Sequence, residues 1–290
     1  MLPTFQPSPF RTRLIAGHTG WMAVYPQNTI LSIGKAIEVR SNLIEIDLRL
    51  TSDNVWVLYH QLELSDLTDG VGLIHTKDWS YVQTLDAGYV YQDGRYAGQE
   101  DTKIPSLEEA LNLIKDKPVK FELDLKQWSW NPYLILEEEL SQMTSLVNLI
   151  KSHDMLDRCI FLSTEDICNK LIDNFLNIET AVYYYGDDYR NSDYNSALQN
   201  AITKGHKEIH WMEGVYDDYP NTYVTKEMVK AFQDEGILFG VTTIPNHFPG
   251  TAYRCRVYDA IGVNVYVVDH LTGAIDALRL TPRFFDPSFA

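Results

Sequence analysis

The stretch LIEIDLRLTSDNVWVLYH, residues 43–60, places two carboxylates two positions apart within a run of apolar residues. A β-strand directs residues i and i+2 to the same face, so Glu45 and Asp47 point one way and the apolar residues between them point the other. Burying two like charges without a partner is costly, and a divalent cation is a common partner. His60 closes this stretch, and His18 closes the earlier apolar run LIAGH. The sequence therefore predicts a metal at strand ends with two histidines beside it.

The rest of the chain alternates strand patterns with helix patterns. Strand-like apolar runs begin near residues 14, 43, 119, 158, 179, 207, 237 and 263, and WVLYH is an extra strand inside the second unit. Repeated βα units form a parallel sheet, and eight of them in ~250 residues fit a closed (β/α)8 TIM barrel of the α/β class. A doubly wound open sheet is the alternative fold.

We predict one barrel domain over residues 14–280, with a loop or insertion region over residues 51–104 after the second strand. An irregular Pro-rich segment over residues 1–13 precedes it, and a tail over residues 281–290 follows it. Within the barrel we expect helices over 132–153 and 192–204, and a helix capped by Ser106 with Glu109 in a capping box.

Composition excludes several classes of function. A formal net charge of −16 argues against a general nucleic-acid or anionic-membrane surface. Three widely spaced cysteines form no metal-binding pattern and indicate reduced thiols. The N-terminus lacks the apolar core of a standard signal peptide, and no apolar run approaches the roughly 20 residues of a membrane span. We therefore expect a soluble, cytoplasmic protein without a transmembrane segment; the sequence leaves its oligomeric state open.

Unusual polar residues follow the predicted strands at their carboxyl ends, where barrel enzymes carry their active sites. Glu122, Asp124 and Lys126 share one face of the third parallel strand. Carboxylates at neighbouring strand ends can supply oxygen ligands to Mg²⁺ or Ca²⁺, and a lysine beside them can bind a phosphate oxygen. Two histidines can act as base or nucleophile and as acid. Together these groups predict cleavage of a phosphodiester.

Each of these features also has a structural interpretation. A single E-x-D pattern is often a solvated strand face, and the residues from Glu122 to Lys126 could form an exposed, salt-bridged edge. The aromatic residues after the fifth and sixth strands are expected mostly in the core. For Trp211 and Tyr185 a stacking wall for a sugar or a choline-like head group is an equally open alternative.

The motifs together resemble the glycerophosphodiester phosphodiesterase family, within the phospholipase C-like phosphodiesterase superfamily. GHTG resembles H-R-G, YPQNT resembles P-E-N-T, and residues 44–60 resemble E-x-D-V-x-x-T-x-D-G-x-x-V-x-x-H. LDLK resembles the E-x-K strand, and the segment GVNVYVVDHLTGA resembles the closing G-V-D-G-I-I-T-D-x-P. The resemblance covers about residues 14–280 and is densest before residue 126.

The resemblance implies specific roles for the residues that match. Glu45, Asp47 and Asp124 would hold a divalent metal, Mg²⁺ or Ca²⁺. His18 and His60 would be the acid–base or nucleophilic pair. Lys126 would contact the phosphate of a small-molecule or lipid-derived phosphodiester, and Glu122, one step deeper, would support the site.

The sequence also departs from the family pattern. Thr19 replaces the arginine of H-R-G, Gln27 the glutamate of P-E-N-T, and Gln61 the aspartate after the second histidine. GVTTIP stands where W-T-V-N is usual, so an aromatic wall is missing. The D-L-K strand is also similar to that of the sphingomyelinase D and phospholipase D toxins, which implies transfer of phosphate to an internal hydroxyl with a cyclic product. A second phosphoryl-transfer outcome joins a sugar to a phosphorylated partner, and a binding barrel without catalysis is the third alternative.

Overall fold

The structure is a computed structural model that describes residues 13–129, 138–185, 194–212, 224–244 and 250–280. The described residues contain nine strands and ten α-helices. The strands are β1 (Leu14–Gly17), β2 (Leu43–Leu50), β3 (Trp56–Leu58), β4 (Lys120–Asp124), β5 (Cys159–Ser163), β6 (Glu179–Tyr185), β7 (Glu208–Met212), β8 (Leu238–Ile244) and β9 (Val265–Val268). The helices are α1 (Ile30–Glu38), α2 (Trp79–Val82), α3 (Leu107–Ile114), α4 (Lys126–Ser129), α5 (Glu139–Ser152), α6 (Glu165–Asn174), α7 (Asn195–Lys204), α8 (Lys226–Asp234), α9 (Thr251–Ile261) and α10 (Leu271–Leu280).

Eight of the strands form a closed parallel barrel. The strand order is β1-β9-β8-β7-β6-β5-β4-β2, and β1 also pairs with β2, which closes the sheet. This closure confirms the predicted TIM barrel and excludes the open doubly wound sheet. The extra strand β3 pairs antiparallel with the end of β2.

The two faces of β2 contribute side chains to two different parts of the core. Ile44, Ile46 and Leu48 of β2 pack outward against the helices in the large hydrophobic cluster of the protein. Leu43 faces the barrel interior, where a smaller apolar cluster fills the lower part. The apolar interior stops partway along the strands, and charged side chains occupy the barrel-facing positions above it.

Helix starts follow the sequence signals. The Thr29 side chain accepts from the backbone N–H of Ser32 and caps α1. Ser106 and Glu109 form the predicted capping box at the start of α3. The predicted helices over 132–153 and 192–204 correspond to α5 and α7, and their first predicted residues, 132–137 and 192–193, lie outside the described ranges. The terminal segments 1–12 and 281–290 also lie outside them.

The segment between β3 and α3 has a small core of its own. This core contains Val57, Tyr59, Leu64, Ile74, Val82, Leu85 and Ile104. The segment is tied to the loop after β1, because the hydroxyl groups of Tyr91 and Tyr96 donate to the carbonyl oxygens of Met22 and Val24. In the described part of the chain, no helix is both long and apolar enough to cross a membrane.

Candidate active site

The turn after β1 brings the first histidine to the barrel mouth. A Cβ atom at Gly17 would lie 1.9 Å from the carbonyl oxygen of Gly20, so this tight turn requires glycine. His18 follows at once, and its Nδ1–H donates to Oδ1 of Asp269 at 2.7 Å. Asp269 comes directly after β9, which neighbours β1 in the barrel. The hydrogen bond orients the imidazole and leaves Nε2 available for chemistry.

Three carboxylates meet at the carboxyl ends of β2 and β4, and we call them the mouth cluster: Glu45, Asp47 and Asp124. Asp47 and Asp124 are register partners on adjacent parallel strands. All three residues are buried, and one oxygen from each lies within 4.8 Å of the others. The strand alternation that the sequence predicts therefore directs these side chains to a single point.

The loop after β1 supports the mouth cluster with hydrogen bonds. The backbone N–H of Thr19 donates to Oε2 of Glu45 at 2.9 Å. The Nδ2 of Asn28 donates to Oδ2 of Asp47 at 2.7 Å, and its Oδ1 accepts from the Asp47 backbone N–H at 3.0 Å. Thr19 and Asn28 both have positive φ, 49° and 57°, a conformation that is rare for a β-branched residue and is enriched at functional sites. Because Thr19 acts through its backbone, losing the arginine of H-R-G leaves this contact intact.

Lys126, which begins α4, places its ammonium against the mouth cluster. Its Nζ lies 2.5 Å from Oδ2 of Asp124 and 3.6 Å from Oδ1 of Asp47. Burial acts to lower the pKa of Lys126, but the charges of Asp124, Asp47 and Glu45 outweigh burial and raise the pKa overall. The ammonium is therefore charged at neutral pH. The Lys126 ammonium therefore compensates part of the negative charge of the mouth cluster.

The mouth cluster fits a divalent cation. Asp47 Oδ1 and Asp124 Oδ1 are buried and accept no hydrogen bond. Burial raises the pKa of Glu45 well above its usual value, and the Asp47 charge raises it further. Burial likewise raises the pKa of Asp124 to about 6. For Asp47, burial acts to raise the pKa, but the charges of His60 and Lys126 and the hydrogen bond from Asn28 lower it overall. The charges of Glu45 and Asp124 are therefore the under-compensated ones, and an all-oxygen donor set suits a hard cation such as Mg²⁺ or Ca²⁺.

His60 follows β3 and lies half-buried beside the mouth cluster. The Asp47 charge acts to raise its pKa, but burial and the positive charges of Lys126, His18 and Arg49 lower it overall. For His18, burial acts to lower the pKa, but the hydrogen bond with Asp269 and the Glu45 charge raise it to about 9. Both predicted histidines therefore lie close enough to the carboxylates to interact with their charges.

A second group of ionisable residues lies deeper, and we call it the inner cluster: Glu122, Glu208 and His210. All three are at most 1% exposed. The Nε2 of His210 lies 2.6 Å from Oε1 of Glu208 and 2.9 Å from Oε1 of Glu122, which reaches it across the barrel. Its Nδ1 is hydrogen-bonded to the Thr242 hydroxyl. The ring lies against Gly240, where a Cβ atom would approach within 2.9–3.0 Å of ring atoms.

The inner cluster has a positive charge of its own on His210. The contact of 2.6 Å between Nε2 and Oε1 of Glu208 is hydrogen-bond length and leaves no space for an ion between the two atoms. Burial acts to lower the pKa of His210, but the charges of Glu122 and Glu208 raise it to about 10. The imidazolium of His210 is therefore the positive charge that both carboxylates contact.

The structure brings together most of the predicted site residues. His18, His60, Glu45, Asp47, Asp124 and Lys126 meet at the mouth. Glu122 is fully buried below them and pairs with His210. Trp211 is not brought to the mouth: it packs between strands and helices beside Tyr184, with ring centroids 6.0 Å apart, because it faces opposite to His210 on β7. Tyr185 ends β6, and its side chain lies outside the described residues.

Three residues of the site have no role in the sequence-based assignment. The position of Asp269 could have indicated a role, since it is a polar residue directly after the last strand. Glu208 and His210 carry the same i, i+2 pattern as Glu45 and Asp47, in the strand EIHWM. That pattern could have revealed that polar side chains face the barrel interior on β7.

The sequence profile of the glycerophosphoryl diester phosphodiesterase family matches residues 18–271. The chain belongs to this family. The match includes every residue of the mouth cluster and both histidines at the mouth, and it confirms the resemblance read from the motifs.

Family relatives match part of the chain. A glycerophosphodiester phosphodiesterase of Caldanaerobacter subterraneus is 28% identical over 150 residues, which are 52% of this chain and 57% of that protein. An uncharacterized protein of Mycobacterium tuberculosis is 33% identical over 118 residues, which are 39% of each chain. The chain thus spans well under two thirds of the length of these curated relatives.

Solved family structures share the whole fold. A putative glycerophosphoryl diester phosphodiesterase from Silicibacter pomeroyi superposes with a TM-score of 0.77 at 19% identity, over 94% of each chain. An Oleispira antarctica phosphodiesterase in complex with the product sn-glycerol-3-phosphate superposes with a TM-score of 0.74 at 20% identity, over 92% of this chain and 97% of that one. At these identities the likeness establishes the barrel fold.

Proposed function

We propose that the chain is a metal-dependent phosphodiesterase that cleaves a small or lipid-derived phosphodiester of the glycerophosphodiester type. The observation that carries this proposal is the mouth cluster, with two buried carboxylate oxygens, on Asp47 and Asp124, that accept no hydrogen bond. Membership of the family supports the reaction class. The glycerol phosphate product bound to the Oleispira phosphodiesterase suggests the first substrates to examine.

Glu45, Asp47 and Asp124 would hold Mg²⁺ or Ca²⁺. When bound, the ion would neutralise negative charge on the phosphate oxygens and so favour attack at phosphorus. Lys126 adds a second positive charge at the same point, and its ammonium is suited to a non-bridging phosphate oxygen. The substrate phosphate would then lie between the two histidines.

The histidine pair would carry the proton transfers. Asp269 holds Nδ1 of His18, whose raised pKa favours the protonated ring, so its Nε2–H would protonate the oxygen of the departing alcohol. His60, whose lowered pKa favours the neutral ring, would attack phosphorus or accept a proton from the attacking hydroxyl. The pKa of His18 is raised and that of His60 is lowered, which supports a pair with one protonated and one neutral member near neutral pH.

The test is a screen of glycerophosphodiesters and lysophospholipids with Mg²⁺, followed by phosphorus NMR of the products. We expect turnover that EDTA abolishes and that His18→Ala lacks. A phosphomonoester product identifies hydrolysis, whereas a cyclic phosphodiester identifies the transfer reaction suggested by the D-L-K strand. Binding of these compounds without turnover would instead identify a binding barrel and overturn the proposal.

A further inference from the structure

We infer that Arg49 is a positioning residue that fixes the segments carrying His60 and Lys126 relative to each other. This inference rests on the proposed function, because it gives Arg49 a task in presenting two groups of that site. Arg49 lies on β2 two residues after Asp47 and therefore faces the same side of the strand. Its side chain is 2% exposed, so it is unavailable for contact with bulk solvent.

The guanidinium group of Arg49 connects two backbone carbonyls. Nε and Nη2 donate to the carbonyl oxygen of His60 at 2.9 and 2.6 Å. Nη1 donates to the carbonyl oxygen of Lys126 at 3.0 Å. One planar group thus joins the second residue after β3 to the second residue after β4, although the two residues are far apart in sequence.

Both segments leave regular strand structure at these carbonyls. β3 ends at Leu58, and the chain after His60 enters the long segment before α3. β4 ends at Asp124, and α4 begins at Lys126. Carbonyl groups at such points lack ladder partners and need another donor. Gln127 adds a second link between α4 and β2, since its Oε1 accepts from the Leu50 backbone N–H at 3.2 Å.

The planar fork of arginine is required for this bridge. Lysine keeps the positive charge, but its single ammonium cannot donate to both carbonyl oxygens from one rigid plane as the guanidinium does. If the two segments shift by about 1 Å, the histidine and lysine are misplaced with respect to a bound phosphate, which costs about 10²-fold in rate. The mouth cluster itself comes from β2 and β4 and stays in place.

The decisive variant is Arg49→Lys, with Arg158→Lys as the matched control. Arg158 makes the same kind of contacts at the opposite end of the barrel, donating to the carbonyl oxygens of Ile114, Lys115, Lys117 and Val119. We expect Arg49→Lys to lower kcat by about 10²-fold while Mg²⁺ affinity stays near the wild-type value. Arg158→Lys should lower only the melting temperature. Arg49→Gln is measured as a second variant, with the same expected result, in case Arg49→Lys does not fold.

Hydrogen–deuterium exchange without substrate separates this inference from the proposed function. We expect faster exchange in residues 59–63 and 125–128 of the Arg49 variants and no change there in Arg158→Lys. Unchanged exchange and unchanged kcat in the Arg49 variants would overturn the inference. So would an equal loss of kcat in Arg158→Lys, since that would indicate a general effect on stability. A wild-type protein without phosphodiester turnover would refute the proposed function, while the exchange data would still decide whether Arg49 holds the two segments.

Discussion

The mouth cluster and the inner cluster use similar residues with opposite electrostatic outcomes. Both gather carboxylates from barrel-facing positions of parallel strands, and Glu122 of the inner cluster is the register partner of Glu45 of the mouth cluster. In the inner cluster, His210 lies between Glu122 and Glu208. In the mouth cluster, Lys126 contacts two carboxylates from its edge. Buried carboxylate oxygens that accept no hydrogen bond occur in both clusters, on Asp47 and Asp124 at the mouth and on Glu122 below it, so the position of the cation is what separates them.

This difference indicates which of the two clusters needs a bound cation. Buried carboxylates are tolerated only when a positive charge or hydrogen bonds compensate them. The inner cluster contains its own cation, His210, on which both of its carboxylates converge. The mouth cluster is incomplete, and it lies at the barrel end where Lys126 and the two histidines can act on a substrate.

The largest expected effect concerns the mouth cluster. We expect EDTA, or the substitution Asp47→Asn, to lower phosphodiesterase activity by about 10⁴-fold, because several kcal/mol of charge stabilisation are lost. Initial rates measured before and after adding Mg²⁺ back check this. Recovery should be complete for the wild type after EDTA and absent for Asp47→Asn. Full activity of the wild type in EDTA would contradict the metal role.

The histidines should give the next largest effect. We expect His18→Ala and His60→Ala each to lower kcat by about 10³-fold, the usual range for loss of an acid or base. Circular dichroism and Mg²⁺ binding serve as controls for folding and for the mouth cluster. If both variants keep wild-type kcat on a good substrate, the two-histidine mechanism is wrong.

The inner cluster should respond in stability more than in activity. His210→Gln leaves two buried carboxylates without their cation, so we expect the free energy of unfolding to fall by about 3–5 kcal/mol. Glu45→Gln is the matched comparison: burial and the Asp47 charge raise the pKa of Glu45, so in the absence of metal this variant removes an unfavourable charge and should not destabilise. Urea unfolding in EDTA measures both variants. Equal destabilisation by the two substitutions would remove the distinction between the clusters.

A smaller effect concerns pH. The pKa of His210 is raised from 6.5 to about 10, so the native state keeps a proton that the unfolded chain releases. The stabilisation from His210 is therefore fully present below pH 6.5 and is lost as the pH rises through about 10. The difference in melting temperature between the wild type and His210→Gln should narrow across this window. A constant difference would indicate that His210 is neutral.

The barrel and the mouth cluster were predictable because their signals are local. Alternation in LIEIDLRL places Glu45 and Asp47 on one face, and the position of polar residues after strands places them at the active end of a barrel. Trp211 lies between two barrel-facing residues of β7, so the same alternation argues against a role for it at the mouth. Its aromatic character alone suggested a substrate wall.

Other parts of the site depend on contacts that no local pattern contains. Glu122 and His210 meet only because the closed barrel brings strands β4 and β7 face to face. Arg49 binds backbone carbonyls, which carry no side-chain signal in a sequence. The left-handed conformation of Thr19 likewise arises from the turn that it makes beneath Glu45.

Isothermal titration with Mg²⁺ tests the central claim, that the mouth cluster requires an external cation and the inner cluster does not. We predict that the wild type and Glu208→Gln each bind one Mg²⁺ per chain with similar affinity, and that Asp124→Asn loses this binding. A wild type that binds no Mg²⁺, or an Asp124→Asn variant that binds as the wild type does, would contradict the account.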